Sequence, residues 1–345
     1  MNIEDIILKK DNSFTAKAIR GLLTPLSWLY ILVHIIFFIP YRLGIRKKYT
    51  APLPVISVGN ITMGGTGKTP FVITLTNILK SMGYKPVIFS RGYGRENTEQ
   101  KNLLFEPGSS LTAKDTGDEP QILSKALNVP IIIGRSRIKS LKLLNKTNAD
   151  IIILDDGMQY WQLKKDIEIG IASLKKPFGS GSVIPSGDLR EPKSGLKRCS
   201  FIVLTSNGKE YDSNSVNTVK KYCPASFVYQ GFTSPYSVNY KGKEYETDFV
   251  KNKKVFAFCG IANPDRFIST LRFLGAEITD FQAFPDHHNY TAEDINLINQ
   301  KAEKAEIIVT TAKDSVKLPK DFIHAIVNIY TDIDSEFKKK LAEKL

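Results

Sequence analysis

A chain of 345 residues with 42% hydrophobic and 24% charged side chains is an ordinary globular protein, long enough for two domains or one domain with large additions. Its net charge of +13 suits nucleic acid, a membrane surface or an anionic substrate, and composition alone does not choose among them. Cys199, Cys223 and Cys259 form no C-x-x-C pair, which argues against a disulfide framework or structural zinc and for a reducing compartment.

The first feature along the chain is "LLTPLSWLYILVHIIFFIP", Leu22 to Pro40, which holds no Asp, Glu, Lys or Arg and approaches the ~20 residues that span hydrocarbon. Pro25 and Pro40 bracket it, His34 interrupts it, and it lacks the small-residue cleavage site of a secretory signal. Residues 1–50 carry eight Lys and Arg against three Asp and Glu. Those basic flanks, with Trp28 and Tyr30 at one end of the apolar run, predict an interfacial or shallowly inserted helix on an anionic membrane surface. A full span and a buried core helix are the alternatives.

Next comes "PVISV" (Pro54 to Val58), a predicted buried strand, then the glycine-rich "GNITMGGTGKTP", then "TPFVITLTNILKSMG", a predicted helix ended by Gly83. Strand, loop and helix in that order make a P-loop, whose backbone N–H groups and helix N-terminus face an anion. The nucleotide-binding stretch is Thr62, Met63, Gly64, Gly65, Thr66, Gly67, Lys68 and Thr69, with Lys68 reaching the β- and γ-phosphates of ATP and the Thr69 hydroxyl reaching Mg2+. Thr62 stands where the usual pattern has its first glycine, while "GGTGKT" keeps the part that cradles phosphate.

"KPVIFS", "VPIIIG", "ADIIILDD", "DIEIGIA" and "RCSFIVLTS" are further predicted strands, and "KDTGDEPQ" opens a helix that Thr116 or Asp118 could cap. The fold expected is α/β: a P-loop NTPase-type, mostly parallel sheet with a second, smaller α/β unit and an N-terminal membrane-associated helix. The expected divisions are a helical segment over 1–50, a P-loop domain over 51–221, a linker of antiparallel hairpins over 222–250 turning at Lys241-Gly242, and the smaller unit over 251–345.

Asp155 and Asp156, at the carboxyl end of a predicted strand, are where a P-loop enzyme holds Mg2+ opposite Thr69, although Asp-Gly is also a common turn. "TGDEP" and "FPDHHNY" are further polar clusters, the second pairing His287 and His288 beside Asp286 in a chain of four histidines. "SGSVIPSGDLREP" is a long loop whose Arg190 suits an anion in a cleft.

The ordered set "GNITMGGTGKTP", "SRGYG", "GDEP", "DDGMQ", "IPSGDLREP", "GIANPDRF", "FPDHH" and "TAKDSVKL" closely resembles the tetraacyldisaccharide 4′-kinase (lipid A 4′-kinase) family from about Pro54 to Leu318. The resemblance implies transfer of the γ-phosphoryl group of ATP to the 4′-hydroxyl of a tetraacylated disaccharide 1-phosphate, giving the 4′-phosphorylated lipid A precursor of lipopolysaccharide biosynthesis. It implies Asp118 as general base with His287 as its partner, Lys68 and Thr69 for ATP and Mg2+, and Asp155 and Asp156 for the metal. Arg190, Arg137, Glu119 and Gln159 fall to the substrate side. Where the family usually has His after "DDGLQ", this chain has Tyr160. A membrane-borne substrate accounts for the apolar N-terminus and implies the cytoplasmic face of the inner membrane. A P-loop switch ATPase and a soluble ligase or kinase are the competing readings. The first usually needs an additional lysine early in the loop, where Met63 and Gly64 stand, and the second needs no membrane helix. No obligate protein partner is evident, and no basic stretch with interleaved aromatics outside the membrane-proximal segment points to nucleic acid.

Overall fold

The computed structural model describes residues 13–97, 101–261, 263–286, 288–319 and 321–345. The apolar runs form strands: β1 (Val55–Gly59), β2 (Pro86–Ser90), β3 (Asn102–Phe105), β4 (Ile131–Gly134), β5 (Ile151–Asp155), β6 (Ile167–Ser173) and β7 (Phe201–Asn207). After these come β8 (Phe227–Tyr240), β9 (Lys243–Tyr245), β10 (Lys254–Cys259), β11 (Glu277–Ala283), β12 (Ile307–Thr310) and β13 (Ala325–Ile333). All lie in one sheet of order β11-β10-β12-β13-β8-β7-β6-β1-β5-β2-β4-β3, with β9 paired to β8. Pairing is parallel along this path except at β8/β13 and β3/β4, as expected where helices cover both faces of near-continuously apolar strands. The chain enters at β1, which has β5 on one side and β6 on the other, so the order reverses beside it. In an open α/β sheet the crevice at the carboxyl ends of such strands is where ligands bind.

Among the described residues five buried apolar clusters line the sheet, of which two bear most on the site. The P-loop helix (Lys68–Ser81) buries Phe71, Leu75 and Leu79 with Ile56, Val58 and Ile153. Val238, Val255, Ala257, Phe267, Leu271 and Val309 form a separate cluster around β10 and β12. The C-terminal helix (Ser335–Ala342) returns to the first core, where Phe337 packs on Phe71 and Phe201 with ring centroids 5.8 and 5.3 Å away.

Three local expectations are corrected. Instead of several hairpins between 222 and 250, there is one, β8 to β9, and the rest of β8 is a strand interior to the sheet, parallel to β7 and antiparallel to β13. Lys241 and Gly242, both with positive φ (51° and 73°), match the right-handed twist of the paired strands, while Val228, Phe232 and Val238 are buried and favour pairing on both edges. The helix Asp118–Ala126 is capped by Gly117, at φ +90°, and neither Thr116 nor Asp118 caps it. A Cβ at Gly117 would collide with the Tyr93 carbonyl, so only glycine fits, and Asp118 falls in the first turn. Finally, the N-terminal helix runs from Phe14 to Arg42, through both prolines, with the Thr24 hydroxyl donating to the Arg20 carbonyl beside Pro25.

That helix is not a core helix: only 6% of its most apolar window is buried. Leu22, Leu26, Trp28, Leu29, Val33, Ile36 and Phe37 are exposed. A narrow stripe touches the protein. Ser27 Oγ donates to the Val183 carbonyl (2.8 Å) and accepts from Ser186 N (3.0 Å), and Phe38 packs on Trp161 (5.1 Å). Tyr30 lies on this stripe, so it is not an interfacial anchor.

Candidate active site

The P-loop is shaped from within by Asn60, a fully buried residue at the end of β1. Its Nδ2 donates to the Thr62 carbonyl (2.8 Å) and to Thr66 Oγ1 (3.0 Å), and its Oδ1 accepts from Lys68 Nζ (3.1 Å). Thr205, from β7, donates its hydroxyl to the Thr66 carbonyl at 2.8 Å. Gly67, at φ +78°, turns the chain into the helix, whose first two residues are Lys68 and Thr69. Gly64 and Gly65 are exposed at the loop tip, as is Met63, whose N–H donates to the Asp188 carbonyl at 2.7 Å. The loop therefore presents unpaired backbone donors at a helix N-terminus with a lysine behind them, an anion site by construction.

Facing the lysine is Asp156, just past β5, whose Oδ1 lies 3.8 Å from Lys68 Nζ. Arg190 grips the same carboxylate with both terminal nitrogens, at 2.9 and 3.0 Å. Desolvation would raise the pKa of Asp156, but Lys68 and Arg190 outweigh it and hold the carboxyl below its usual range. Asp155 differs: burial, then the charge of Asp156, pushes its pKa up to about 7, with Glu119 adding to the effect. A carboxylate pair in such conflict, next to the Thr69 end of the helix, is a donor set that a divalent cation would relieve. Among the described residues no group of three or more His, Cys, Asp or Glu gathers to hold a metal ion, here or elsewhere, so the two carboxylates would share a cation with the Thr69 hydroxyl and the phosphates.

Arg137 is 5% exposed, donates to the Asp155 carbonyl (3.3 Å) and stacks over Tyr160 at 5.1 Å. In this chain Tyr160 thus carries the guanidinium that supports the end of β5, and its hydroxyl accepts from the Ile138 N–H at 3.3 Å. Gln159 Nε2 bridges the Asn60 carbonyl (2.9 Å) and Glu191 Oε1 (2.7 Å). Glu191, 1% exposed, accepts from Arg198 at 2.6 and 2.8 Å, which overcomes its desolvation and keeps its pKa low.

Asp118 is met from the second unit by Lys317, whose Nζ lies 3.0 Å from Asp118 Oδ2. His287 falls outside the described residues. Its neighbour His288 is held away by Asp294 (2.9 Å) and stacks on Phe284. The structure thus gathers Lys68, Asp155, Asp156, Arg190, Gln159 and, through its field on Asp155, Glu119 around one loop, whereas Arg137 supports β5 from below. Sequence reasoning missed Asn60, Glu191 and Lys317. Asn60 directly after a strand and Lys317 inside "TAKDSVKL" were visible there, but Asn60 meets Gln159 and Arg190, and Lys317 meets Asp118, only in the fold.

The sequence matches the family described as tetraacyldisaccharide-1-P 4′-kinase (LpxK) over residues 19–345. It is 37% identical over 352 aligned positions to a tetraacyldisaccharide 4′-kinase of Halothermothrix orenii, covering 94% of this chain and 91% of the relative. It is also 37% identical to that of Stenotrophomonas maltophilia, covering 80% and 78%. In structure it resembles the LpxK of Aquifex aeolicus crystallised in complex with ATP, with a TM-score of 0.78 at 29% identity, covering 94% of this chain and 99% of that one.

Proposed function

The chain belongs to the tetraacyldisaccharide-1-P 4′-kinase family, an ATP-dependent kinase that phosphorylates a lipid A precursor at its 4′ position, and from that premise we propose how its residues divide the work. The observation that carries the assignment is Lys68 at the head of the P-loop helix, 3.8 Å from Asp156. The P-loop backbone and Lys68 bind the β- and γ-phosphates, and their fixed charge stabilises negative charge on the moving phosphoryl group. Thr69, Asp155 and Asp156 would hold Mg2+, which would supply further charge neutralisation.

Asp118 accepts the proton of the 4′-hydroxyl, with His287 as its partner. Arg190 holds Asp156 and offers its guanidinium to phosphate beside the P-loop. Glu119 and Gln159 line the acceptor side, and Arg137 acts by holding the end of β5.

The N-terminal helix lies in an anionic membrane surface on its exposed apolar face, which brings the enzyme to an acylated substrate that stays in the bilayer. The reduced, buried cysteines and the use of ATP favour the cytoplasmic face.

The test is purified protein with γ-labelled ATP and a lipid A disaccharide 1-phosphate. Label moves to lipid with the native chain. With Lys68→Ala, a folded protein loses on the order of 3–6 kcal/mol of transition-state stabilisation and transfer all but stops. A folded variant with near-normal turnover overturns the assignment.

A further inference from the structure

The motif "TAKDSVKL" has no part in the roles assigned so far, yet it delivers a charge to Asp118. Lys317 is 9% and Asp118 16% exposed at the side chain, and Nζ sits 3.0 Å from Oδ2. An ammonium this desolvated is costly unless its partner is well placed.

The framework behind Lys317 is unusually constrained. Asp314, fully buried, accepts from the Gly260 N–H (2.9 Å) and the Tyr290 hydroxyl (2.8 Å) through Oδ1, and from the Thr311 hydroxyl (2.6 Å) through Oδ2. The Lys317 N–H then donates to the Asp314 carbonyl at 2.9 Å. One carboxylate thereby ties together the loop after β10, the loop after β11 and the turn carrying Lys317. The second unit presents Lys317 as a rigid piece.

We propose that Lys317 is a positioning residue for phosphoryl transfer: reaching from the second α/β unit, it fixes the plane of the Asp118 carboxylate against the acceptor hydroxyl. This rests on Asp118 being the proton acceptor. In the step itself, a bond forms between the acceptor oxygen and the γ-phosphorus, and the bond from that phosphorus to the ADP oxygen breaks. The hydroxyl proton passes to Asp118. Lys317 exchanges no atom, and its contribution is orientation, which near-attack geometry rewards steeply.

The experiment is steady-state kinetics on the full chain with a detergent-dispersed lipid A disaccharide 1-phosphate, comparing Lys317→Met, Lys317→Arg, Asp118→Asn and the Asp118→Asn/Lys317→Met double variant. The expected result for Lys317→Met is a fall in kcat of roughly 10–100-fold with the KM for ATP within about threefold and the melting temperature nearly unchanged. Lys317→Arg recovers most of the loss, and Lys317→Met costs little more once Asp118 is Asn. A folded Lys317→Met with kcat within about twofold of the native chain overturns the proposal. So does a loss that tracks melting temperature or the KM for ATP and is not recovered by Arg, since that marks a structural tie between the units. If the Met variant does not fold, Lys317→Gln, which keeps a donor, replaces it, and failure of both to fold also counts against the proposal. An Asp118→Asn variant with near-native kcat refutes the proton-acceptor reading instead, whatever Lys317 does.

Discussion

The Tyr30 hydroxyl donates to the Arg190 carbonyl at 2.7 Å, while the side chain of the same arginine holds Asp156. One residue therefore connects the N-terminal helix to the P-loop. Tyr30→Phe removes the donor and keeps the ring. The expected outcome is a stability loss of about 1 kcal/mol by chemical denaturation and a several-fold drop in lipid kinase activity, with ATP binding little changed. Native activity would mean that the helix and the site are energetically separate.

Asn60→Ala should damage nucleotide binding more than folding. Three polar partners, the Thr62 carbonyl, Thr66 Oγ1 and Lys68 Nζ, lose their common hub, and the buried ones are left unsatisfied. A cost of about 1–3 kcal/mol in ATP affinity follows if the loop loosens as a unit, readable by calorimetric titration.

Glu191 supplies a pH dependence with a definite sign. Its folded pKa is lowered from 4.5 because the Arg198 hydrogen bonds outweigh desolvation. The stability it contributes is therefore full above pH 4.5 and is lost as pH falls through the lower folded value. Glu191→Gln should flatten the acid limb of the stability curve and, by leaving the partly buried Arg198 with a weaker partner, cost about 1–3 kcal/mol at neutral pH. Equal acid sensitivity in native and variant proteins would assign that limb to other carboxyls.

The exposed face of the N-terminal helix can be tested without touching the stripe that holds it. Leu29, Val33 and Ile36 are 56%, 54% and 64% exposed. Replacing all three by Gln should cut partitioning onto anionic vesicles by on the order of 10-fold or more while leaving turnover of detergent-dispersed substrate unchanged. Binding by the native chain should also weaken as salt rises. Undiminished sedimentation with vesicles would place the membrane contact elsewhere.

Local patterns made the P-loop, the strand ending at Asp155 and the Lys241-Gly242 turn legible from sequence, because a strand, a glycine-rich turn and a helix each write their periodicity within a few residues. Tyr30 shows the limit. An aromatic at the end of an apolar run reads as a membrane anchor, and only the approach of the 183–191 loop reveals its hydrogen bond. β8 failed for a related reason: its aromatic and β-branched residues say strand, but not that β7 and β13 will occupy both of its edges. Asn60 and Lys317 drew no role from the sequence because Gln159 and Arg190, which meet the first, and Asp118, which meets the second, lie far along the chain.

The return of the C-terminal helix to the first core bears on how the protein is made. Phe71 and Phe201 are translated well before Phe337, around which they close. The nucleotide-binding half cannot finish its core during synthesis and must wait, with apolar side chains uncovered, until the second unit has been translated and its tail threaded back. Shortening the tail by a helical turn at Phe337 should therefore reduce the yield of soluble protein far more than its distance from the active site would suggest.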